Sequence, residues 1–177
     1  TGLSASGAEL WKLACGPAWC STPRPVVGDG SIYLGVSFPR AEVVAVRLGG
    51  AAGPEVAWRA ARQAPQVSSP ILAGDALYTV SDRGGILTCL DARSGQPRWS
   101  ERLGGNHAAS PVLAAGRLYV ASREGEVVVV EAGGAAKVLA RNRLEGAIMA
   151  SPAVDSSGAL YLRTEKAVYR IKESTPR

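Results

Sequence analysis

The apolar residues of this chain recur at intervals of two, and turns rich in glycine separate the apolar runs. The run GEVVVVEA, residues 125–132, is continuous and β-branched, whereas GRLYVAS, residues 116–122, alternates between apolar and polar positions. Short breaks such as DRGG and REGE have the length of β-hairpin loops. A period of two predicts strands, and no segment shows the helical period of about 3.6 residues. The pattern therefore predicts an all-β chain built from hairpins.

One phrase recurs four times along the chain. Each copy starts with a proline, continues with apolar residues and a turn, and then carries a tyrosine in a second apolar run. The prolines are 45, 41 and 41 residues apart, which is a spacing typical of repeat architectures. Each copy reads as four antiparallel strands, A to D, and the third copy has them at 110–114, 117–122, 126–131 and 137–142. The prolines are Pro25, Pro70, Pro111 and Pro152, and the tyrosines are Tyr33, Tyr78, Tyr119 and Tyr161.

The stretch LTCLDARSGQPRW, residues 87–99, marks the hairpin from strand C to strand D. Strand C ends at Asp91, whose carboxylate can accept backbone N–H groups of the turn, and Ser94 and Gly95 supply turn chemistry. Trp99 begins strand D, and a large ring repeated once per sheet can fill the wedge between sheets arranged radially. The third copy lacks this tryptophan. We interpret the following residues as a structural motif: Asp91, Ser94, Gly95, Trp99, Trp58 and Trp11.

These residues resemble the quinoprotein-type, or PQQ-like, β-propeller repeat. Cys89 and the hairpin motif match its Ala-x-Asp-x-x-Thr-Gly-x-x-x-Trp pattern with conservative changes, and three Ser-Pro pairs match the element that follows it. The resemblance implies a β-propeller of four-stranded antiparallel blades. It is specific for the blade and unspecific for function, because one fold hosts many activities. The family includes pyrroloquinoline quinone dehydrogenases, the lipoprotein propeller of the outer-membrane-protein assembly machinery, and sensor domains.

We expect residues 1–177 to form one propeller domain, or part of one, with about four blades. The two ends of the chain together would make one further blade, so the N-terminal strand, at Glu9 to Leu13, is expected to complete the last blade. The alternatives are a self-closed four-bladed ring, two chains that exchange this strand in an eight-bladed ring, and part of a longer protein. The expected full blades are 22–60, 68–101 and 109–142, residues 1–13 supply strand D of a shared blade, and residues 150–172 supply strands A to C.

Composition narrows the class of protein. Hydrophobic residues make up 46% of the chain, which is enough for a core, and no apolar window is long enough to span a membrane. Twenty Lys and Arg against fifteen Asp and Glu give a net charge of +5. The aromatic residues are placed like core residues rather than among clustered cations, so the sequence does not predict nucleic-acid binding. The segment TGLSASGAELWK has neither the charged start nor the apolar middle of a signal peptide, but the first residue is Thr rather than Met, so this observation decides little.

Candidate chemistry is sparse. Cys15 and Cys20 lie close enough for a local disulfide if their loop folds back, and Cys89 is expected to be a small buried residue. With three cysteines and one histidine, His107, no metal site is predicted. No catalytic triad, phosphate loop or paired catalytic carboxylates are found. The sequence therefore predicts no catalytic residues.

The turns from strand B to strand C each carry a basic residue. In a four-stranded blade these turns share one face with the loops from strand D to the next strand A, so the sequence predicts a ring of positive charge there. Acidic residues of the same turns, Asp82, Glu124 and Glu165, are expected to offset it in part. The longest D-to-A loop adds a tryptophan without counterpart in the other copies. The candidate partner-binding residues are Arg40, Arg83, Arg123, Lys166, Trp19 and His107.

The sequence thus favours a non-catalytic binding, scaffolding or sensory module that engages a protein partner by its loop face or by a strand edge. We expect a place in the bacterial cell envelope, periplasmic or extracellular, and we expect no cofactor. An alternative is part of a pyrroloquinoline quinone-dependent dehydrogenase, which would need calcium and a pair of adjacent cysteines that this chain lacks. A weaker alternative is a module that binds an anionic polymer.

Overall fold

The computed structural model describes residues 1–14, 21–50, 53–62 and 64–172. These residues form seventeen strands and no helix, which confirms the all-β prediction. The first ten strands are β1 (Gly2–Leu3), β2 (Glu9–Trp11), β3 (Val26–Gly28), β4 (Ser31–Val36), β5 (Glu42–Arg47), β6 (Glu55–Ala60), β7 (Ile71–Ala73), β8 (Ala76–Val80), β9 (Ile86–Asp91) and β10 (Pro97–Arg102). The remainder are β11 (Val112–Ala114), β12 (Arg117–Ala121), β13 (Glu126–Glu131), β14 (Lys137–Arg143), β15 (Ala153–Val154), β16 (Leu160–Arg163) and β17 (Val168–Ile171).

The strands form a series of antiparallel meanders in chain order. Blade 1 contains β3 to β6, blade 2 contains β7 to β10, blade 3 contains β11 to β14, and the three-stranded blade 4 contains β15 to β17. In blade 3 the predicted bounds of strand C are confirmed, and those of the other strands are correct to within two residues. The chain is therefore an open β-propeller segment of four-stranded antiparallel blades, with three strands described for the fourth.

Each blade carries one row of side chains that runs across its strands. In blade 2 the row contains Ile71, Tyr78, Cys89 and Trp99, which are paired in register from strand A to strand D. Because Cys89 is small, the rings of Tyr78 and Trp99 meet over it, with centroids 5.8 Å apart. Burial raises the pKa of the Cys89 thiol, which is fully buried as the sequence predicts. The row therefore gives blade 2 an aromatic face, and blade 1 has the corresponding pair of Tyr33 and Trp58, with ring centroids 5.9 Å apart.

The hydrophobic core lies between blades rather than inside any one of them. One cluster joins Tyr33 and Ala45 of blade 1 to Leu77 and Leu90 of blade 2. Corresponding clusters join blade 2 to blade 3 and blade 3 to blade 4. Strand C of each blade contributes side chains to the apolar clusters on both faces of that blade. Alternate residues of β5, β9 and β13 are therefore buried on opposite faces, which explains why these strands are continuous apolar runs. The blades are thus held together mainly by apolar packing.

A chain of serine hydrogen bonds links the inner edges of the blades. The backbone N–H of Arg24 donates to Ser69 Oγ, that of Ser69 to Ser110 Oγ, and that of Ser110 to Ser151 Oγ, each at 2.9 Å. The three acceptors are the serines of the Ser-Pro pairs found in the sequence. The Ser-Pro pair therefore connects neighbouring blades as well as starting a strand.

The N-terminal segment differs from the prediction. The expectation of a single strand D is wrong, because Gly2–Leu3 forms a strand C that pairs with Glu9–Trp11, and the ring of Trp11 covers Gly2. The expected pairing of this strand with the last blade is not formed either, since β1 occupies that edge of β2 and β17 pairs with β16. Leu13, two residues after this hairpin, packs on a cluster around Val44 of blade 1. Both ends of the described chain therefore carry a strand C.

No helix among the described residues is long and apolar enough to cross a membrane.

Candidate functional site

The turn from strand C to strand D in blade 2 is built around the carboxylate of Asp91. Its Oδ1 accepts hydrogen bonds from the backbone N–H groups of Arg93 at 3.1 Å and Ser94 at 2.9 Å, and from the Ser94 hydroxyl at 2.8 Å. Its Oδ2 lies 2.6 Å from Arg98 Nη2, which also pairs with Asp75 at 2.7 Å. The bonds from Arg98 and Ser94 hold the pKa of Asp91 well below its usual range. The hydrogen bonds of these side chains therefore serve to hold the turn.

The tryptophans of this motif join neighbouring blades. Trp58 Nε1 donates to the carbonyl of Ala92 at 3.0 Å, in the C–D turn of the next blade. Gly95 lies in that turn with φ of 71°, and a Cβ added there would stand 2.6 Å from the indole ring. Trp99 likewise donates to the carbonyl of Gly133 in blade 3, at 2.9 Å. The tryptophan of one blade thus packs on the C–D turn of the next blade and is hydrogen-bonded to it. Trp58, Trp99 and the turn residues that they contact therefore have a structural role.

The other ends of the strands meet on what we call the loop face. Here the backbone N–H of Arg123 donates to the carbonyl of Asn106 at 2.7 Å, and that of Glu165 donates to the carbonyl of Ala147 at 3.0 Å. In blades 3 and 4 the B–C turn is therefore bonded to the D–A loop that enters its own blade. The loop face consists of the B–C turns 37–41, 81–85, 122–125 and 164–167 and the D–A loops 64–70, 103–111 and 144–152.

Four cations of the loop face are exposed in the structure. Within the described part of the chain, no carboxylate lies within 4.0 Å of their charged nitrogens, whereas cations elsewhere, such as Arg47 and Arg98, form ion pairs. Their positive charge is therefore available to an external group. These residues are Arg40, Arg83, Arg123 and Lys166.

Two of the three acidic residues in these turns, Asp82 and Glu124, are hydrogen-bonded to the neighbouring D–A loops. The carboxylate of Asp82 accepts the N–H groups of Gln66 at 2.5 Å and Val67 at 2.9 Å. Glu124 accepts the backbone N–H of Asn106 at 3.0 Å and its side-chain amide at 2.8 Å. Hydrogen bonds from Asn106 lower the pKa of Glu124 to about 2. Asp82 and Glu124 therefore hold loops and form no ion pair with the turn cations in the described part of the chain, while Glu165 is exposed next to Lys166.

Two of the predicted partner-binding residues, His107 and Trp19, are not among the exposed cations of the loop face. His107 is 2% exposed, and its ring nitrogens lie 2.9 Å from the carbonyl oxygens of Ala121 and Gly104. It ties a D–A loop to strand B, and its ring is buried and not exposed on the loop face. Trp19, with the expected disulfide partners Cys15 and Cys20, lies outside the described residues.

The loop face also carries apolar side chains that sequence reasoning missed. Phe38 is 47% exposed, Val67 40% and Met149 53%. Val67 and Met149 occupy the same place in their D–A loops, two residues before the serine of a Ser-Pro pair, and Ala108 fills it in the loop between them. Aligning the loops on the Ser-Pro pairs would have revealed this position. The loop face is therefore both cationic and apolar.

The described residues do not fit a quinone cofactor with calcium. Calcium takes six to eight oxygen ligands, commonly from several carboxylates. The described ranges hold no group of three or more His, Cys, Asp or Glu residues that could bind a metal ion. The acidic residues that do lie close together, Asp75 and Asp91, are both bonded to Arg98. We therefore derive no chemical step through such a cofactor.

The blade order, the aromatic rows and the interlocking tryptophans define a β-propeller of the PQQ-like repeat class. The profile of the family described as Outer membrane protein assembly factor BamB matches residues 1–103 and 83–175. The chain belongs to this family. No curated protein matches the sequence.

Solved structures share the fold at low sequence identity. BamB from Moraxella catarrhalis matches with a TM-score of 0.72 and 17% identity, over 92% of this chain and 48% of that one. Quinohemoprotein alcohol dehydrogenase ADHIIG from Pseudomonas putida HK5 matches with a TM-score of 0.63 and 18% identity, over 78% and 27%. A europium-containing methanol dehydrogenase matches with a TM-score of 0.59 and 16% identity, over 78% and 28%. The chain thus spans about half the length of the BamB structure.

Proposed function

We propose that this chain is a non-catalytic binding module that holds a protein partner on its loop face. The observation that carries the proposal is the set of four exposed turn cations, one from each blade, that have no carboxylate partner among the described residues. Side chains on loops held by a rigid scaffold are the usual place for recognition. The hydrogen bonds between turns and loops supply that scaffold here.

Electrostatics favours an anionic surface as the partner. A cluster of like charges on one face raises the local potential and speeds the encounter with an oppositely charged surface. The carboxylates of Asp82 and Glu124 are bonded to the loops and not to the turn cations, so the cations can still pair with an external group, while these carboxylates and Glu165 reduce the net charge of the face. The binding is therefore expected to weaken as salt concentration rises.

Family membership supports a place for this module in the bacterial cell envelope. The name of the family describes assembly of outer membrane proteins, and BamB from Moraxella catarrhalis shares the fold. We propose that the partner is a protein of the same compartment. A second copy of this chain is an alternative partner, and an anionic polymer is another.

The proposal is tested by charge reversal on the loop face. The chain with Arg83→Glu and Arg123→Glu is compared with wild type for retention of proteins from an envelope extract, followed by measurement of affinity for the retained protein. Arg117→Glu is the matched control, since Arg117 is exposed at the opposite end of a strand. We expect the double variant to lose about tenfold or more in affinity, and the control to change little.

Three results would contradict the proposal. The first is a partner whose affinity is the same for wild type and for the loop-face variant. The second is retention of a glycan or another polyanion in place of a protein. The third is dye-linked oxidation of an alcohol by the chain supplied with pyrroloquinoline quinone and calcium, which would establish an enzyme instead.

A further inference from the structure

Two clefts on the loop face lie at corresponding junctions of the propeller. The first lies where the loop into blade 2 meets the B–C turn of that blade, and its volume is about 360 Å³. The second lies at the same junction of blade 4, with a volume of about 200 Å³. The first is lined by Ala64, Gln66, Ser81, Asp82 and Arg83, and the second by Ala147, Met149, Ala150, Arg163, Thr164 and Glu165.

An exposed apolar side chain lies in the wall of the second cleft and next in sequence to the wall of the first, and each wall also holds a cation and a carboxylate, Asp82 or Glu165. At the first cleft, the backbone of Val67 is bonded to Asp82, which precedes Arg83 in the turn. At the second cleft, Met149 lines the wall, and a Cβ added to Gly146 would stand 2.9 Å from Lys166 Cγ. The two clefts therefore repeat one combination of an apolar contact and a positive charge.

The junction between them, at blade 3, is filled. His107 is buried there between two carbonyl groups, and Asn106 is bonded to Glu124 through both its backbone and its side chain. Arg123 remains exposed on this filled junction. A partner that spans the loop face would thus contact the first cleft, then Arg123 at the filled junction, and then the second cleft.

We infer that the loop face recognises an acidic segment of a partner protein that carries spaced apolar side chains. The carboxylates of the segment pair with Arg83, Arg123 and Lys166, and its apolar side chains contact Met149 in the second cleft and Val67 beside the first. This inference rests on the proposed function and specifies the chemistry of its partner. Burial of apolar area supplies affinity, while the charges set orientation and the rate of association.

The test uses three short fluorescent peptides and the whole chain. One peptide is rich in Glu with spaced Leu residues, the second has Ser in place of each Leu, and the third has Lys in place of each Glu. Anisotropy titrations are carried out with wild type, with Met149→Ser combined with Val67→Ser, and with Arg83→Glu combined with Arg123→Glu. Leu139→Ser and Arg117→Glu are the matched controls, since Leu139 is 41% exposed on an outer strand and Arg117 is exposed at the opposite end of the blade.

We expect wild type to bind the Glu and Leu peptide about tenfold more tightly than the Glu and Ser peptide, and to bind the Lys peptide least. The apolar double variant should remove most of the preference for Leu and keep the preference for Glu over Lys. Thermal unfolding of each variant confirms that it is folded.

The outcomes separate the inference from the proposed function. Equal binding of the two Glu peptides, or a preference for Leu that survives the apolar double variant, overturns the inference and leaves a cationic binding face intact. Binding that Arg83→Glu with Arg123→Glu does not weaken overturns the proposed function as well.

Discussion

The backbone N–H of Ser69 donates to the hydroxyl oxygen of Ser110, 2.9 Å away and 41 residues further along the chain. The same bond recurs between Ser110 and Ser151, so it repeats with the period of the blades. Each serine precedes the proline that begins strand A, and proline cannot donate a backbone hydrogen bond. The serine thus supplies both the donor and the acceptor at the inner edge of its blade.

Removal of one hydroxyl should therefore weaken the contact between blades. Ser110→Ala leaves the N–H of Ser69 without its acceptor, and we expect a loss of about 1 to 2 kcal/mol in the free energy of unfolding. Ser110→Thr retains a hydroxyl and should lose less than half of that. Urea unfolding measures both, with Ser6→Ala, at an exposed turn residue, as the control. A stability of Ser110→Ala equal to that of wild type would contradict a role for this bond.

Because the ring of Trp58 packs closely on Gly95, substitutions of these two residues should have non-additive effects on stability. Gly95→Ala places a Cβ 2.6 Å from the indole ring at a φ of 71°, so both a steric clash and backbone strain oppose it. In a Trp58→Ala background the clash disappears and only the strain remains, which is about 1 kcal/mol. A double-mutant cycle by chemical unfolding should give a coupling energy of about 1 kcal/mol or more. Additive effects of the two substitutions would show that the ring does not press on this turn.

The repeat could be predicted because its markers are local. A proline, a tyrosine and a period of two define each blade whatever surrounds it, so the strands of blade 3 were placed to within two residues. The strand Gly2–Leu3 was missed because it is two residues long and contains a single strong apolar side chain. Such a strand is specified by its partner and not by its own pattern.

The site was predicted less well because its properties depend on distant contacts. The turn residues Asp82 and Glu124 look like local counter-charges, yet they bond to loops 15 to 18 residues away. His107 looks like a loop residue, and its burial follows from the carbonyl of Ala121 folding over it, 14 residues later. Charge and sequence spacing alone do not reveal which group a side chain reaches.

The missing tryptophan of blade 3 predicts a stabilising substitution. Register places Ala140 opposite Val129, where Trp58 stands opposite Ala45 and Trp99 opposite Cys89. Ala140 is exposed, and a cavity of about 520 Å³ lies between blades 3 and 4. The walls of this cavity include Tyr119, Val129, Leu160, Leu162 and Ile171.

We expect Ala140→Trp to fill part of this space and to raise the free energy of unfolding by about 0.5 to 2 kcal/mol. Thermal unfolding measures the change, and blue-shifted fluorescence of the added indole would report its burial. Leu139→Trp, on the neighbouring exposed position, is the control. A loss of stability in Ala140→Trp, or an added indole that emits as in water, would contradict the equivalence of this position with Trp58 and Trp99.

The clamp of Glu124 on Asn106 makes stability depend on pH. The pKa of Glu124 falls from 4.5 to about 2 in the folded chain, so its bonds stabilise the fold fully above pH 4.5 and are lost as pH falls towards 2. Glu124→Gln should therefore flatten the decline of the urea midpoint across this window. Glu145→Gln, at an exposed residue of the same face, serves as the control. Parallel profiles for Glu124→Gln and wild type would show that this carboxylate does not contribute.

In each of blades 1 to 3, one face of the sheet packs on the following blade. The equivalent face of blade 4, which we call its outward face, has a different chemistry. Arg170 is paired with Tyr161 in the position that Ala45, Cys89 and Val129 occupy, all three of which are buried. Its Nε donates to the Tyr161 hydroxyl at 2.9 Å, and that hydroxyl donates to Asp155 at 3.0 Å. Arg163 similarly takes the place of Val80 and Ala121, which are both fully buried.

Two arginines on a packing face oppose its association with an apolar surface, because both charges would have to leave water and, in the described part of the chain, only Arg170 has a carboxylate within 4.0 Å, that of Asp155. We therefore expect Arg163→Ala combined with Arg170→Val to restore an apolar face like that of blade 3 and to increase self-association. Light scattering over a range of protein concentrations measures this as a rise in average mass relative to wild type. The control, Arg93→Ala combined with Arg117→Val, removes the same charge from exposed positions at the other ends of the strands. An unchanged mass in the first variant would show that shape, and not charge, keeps this face from packing on a further apolar surface.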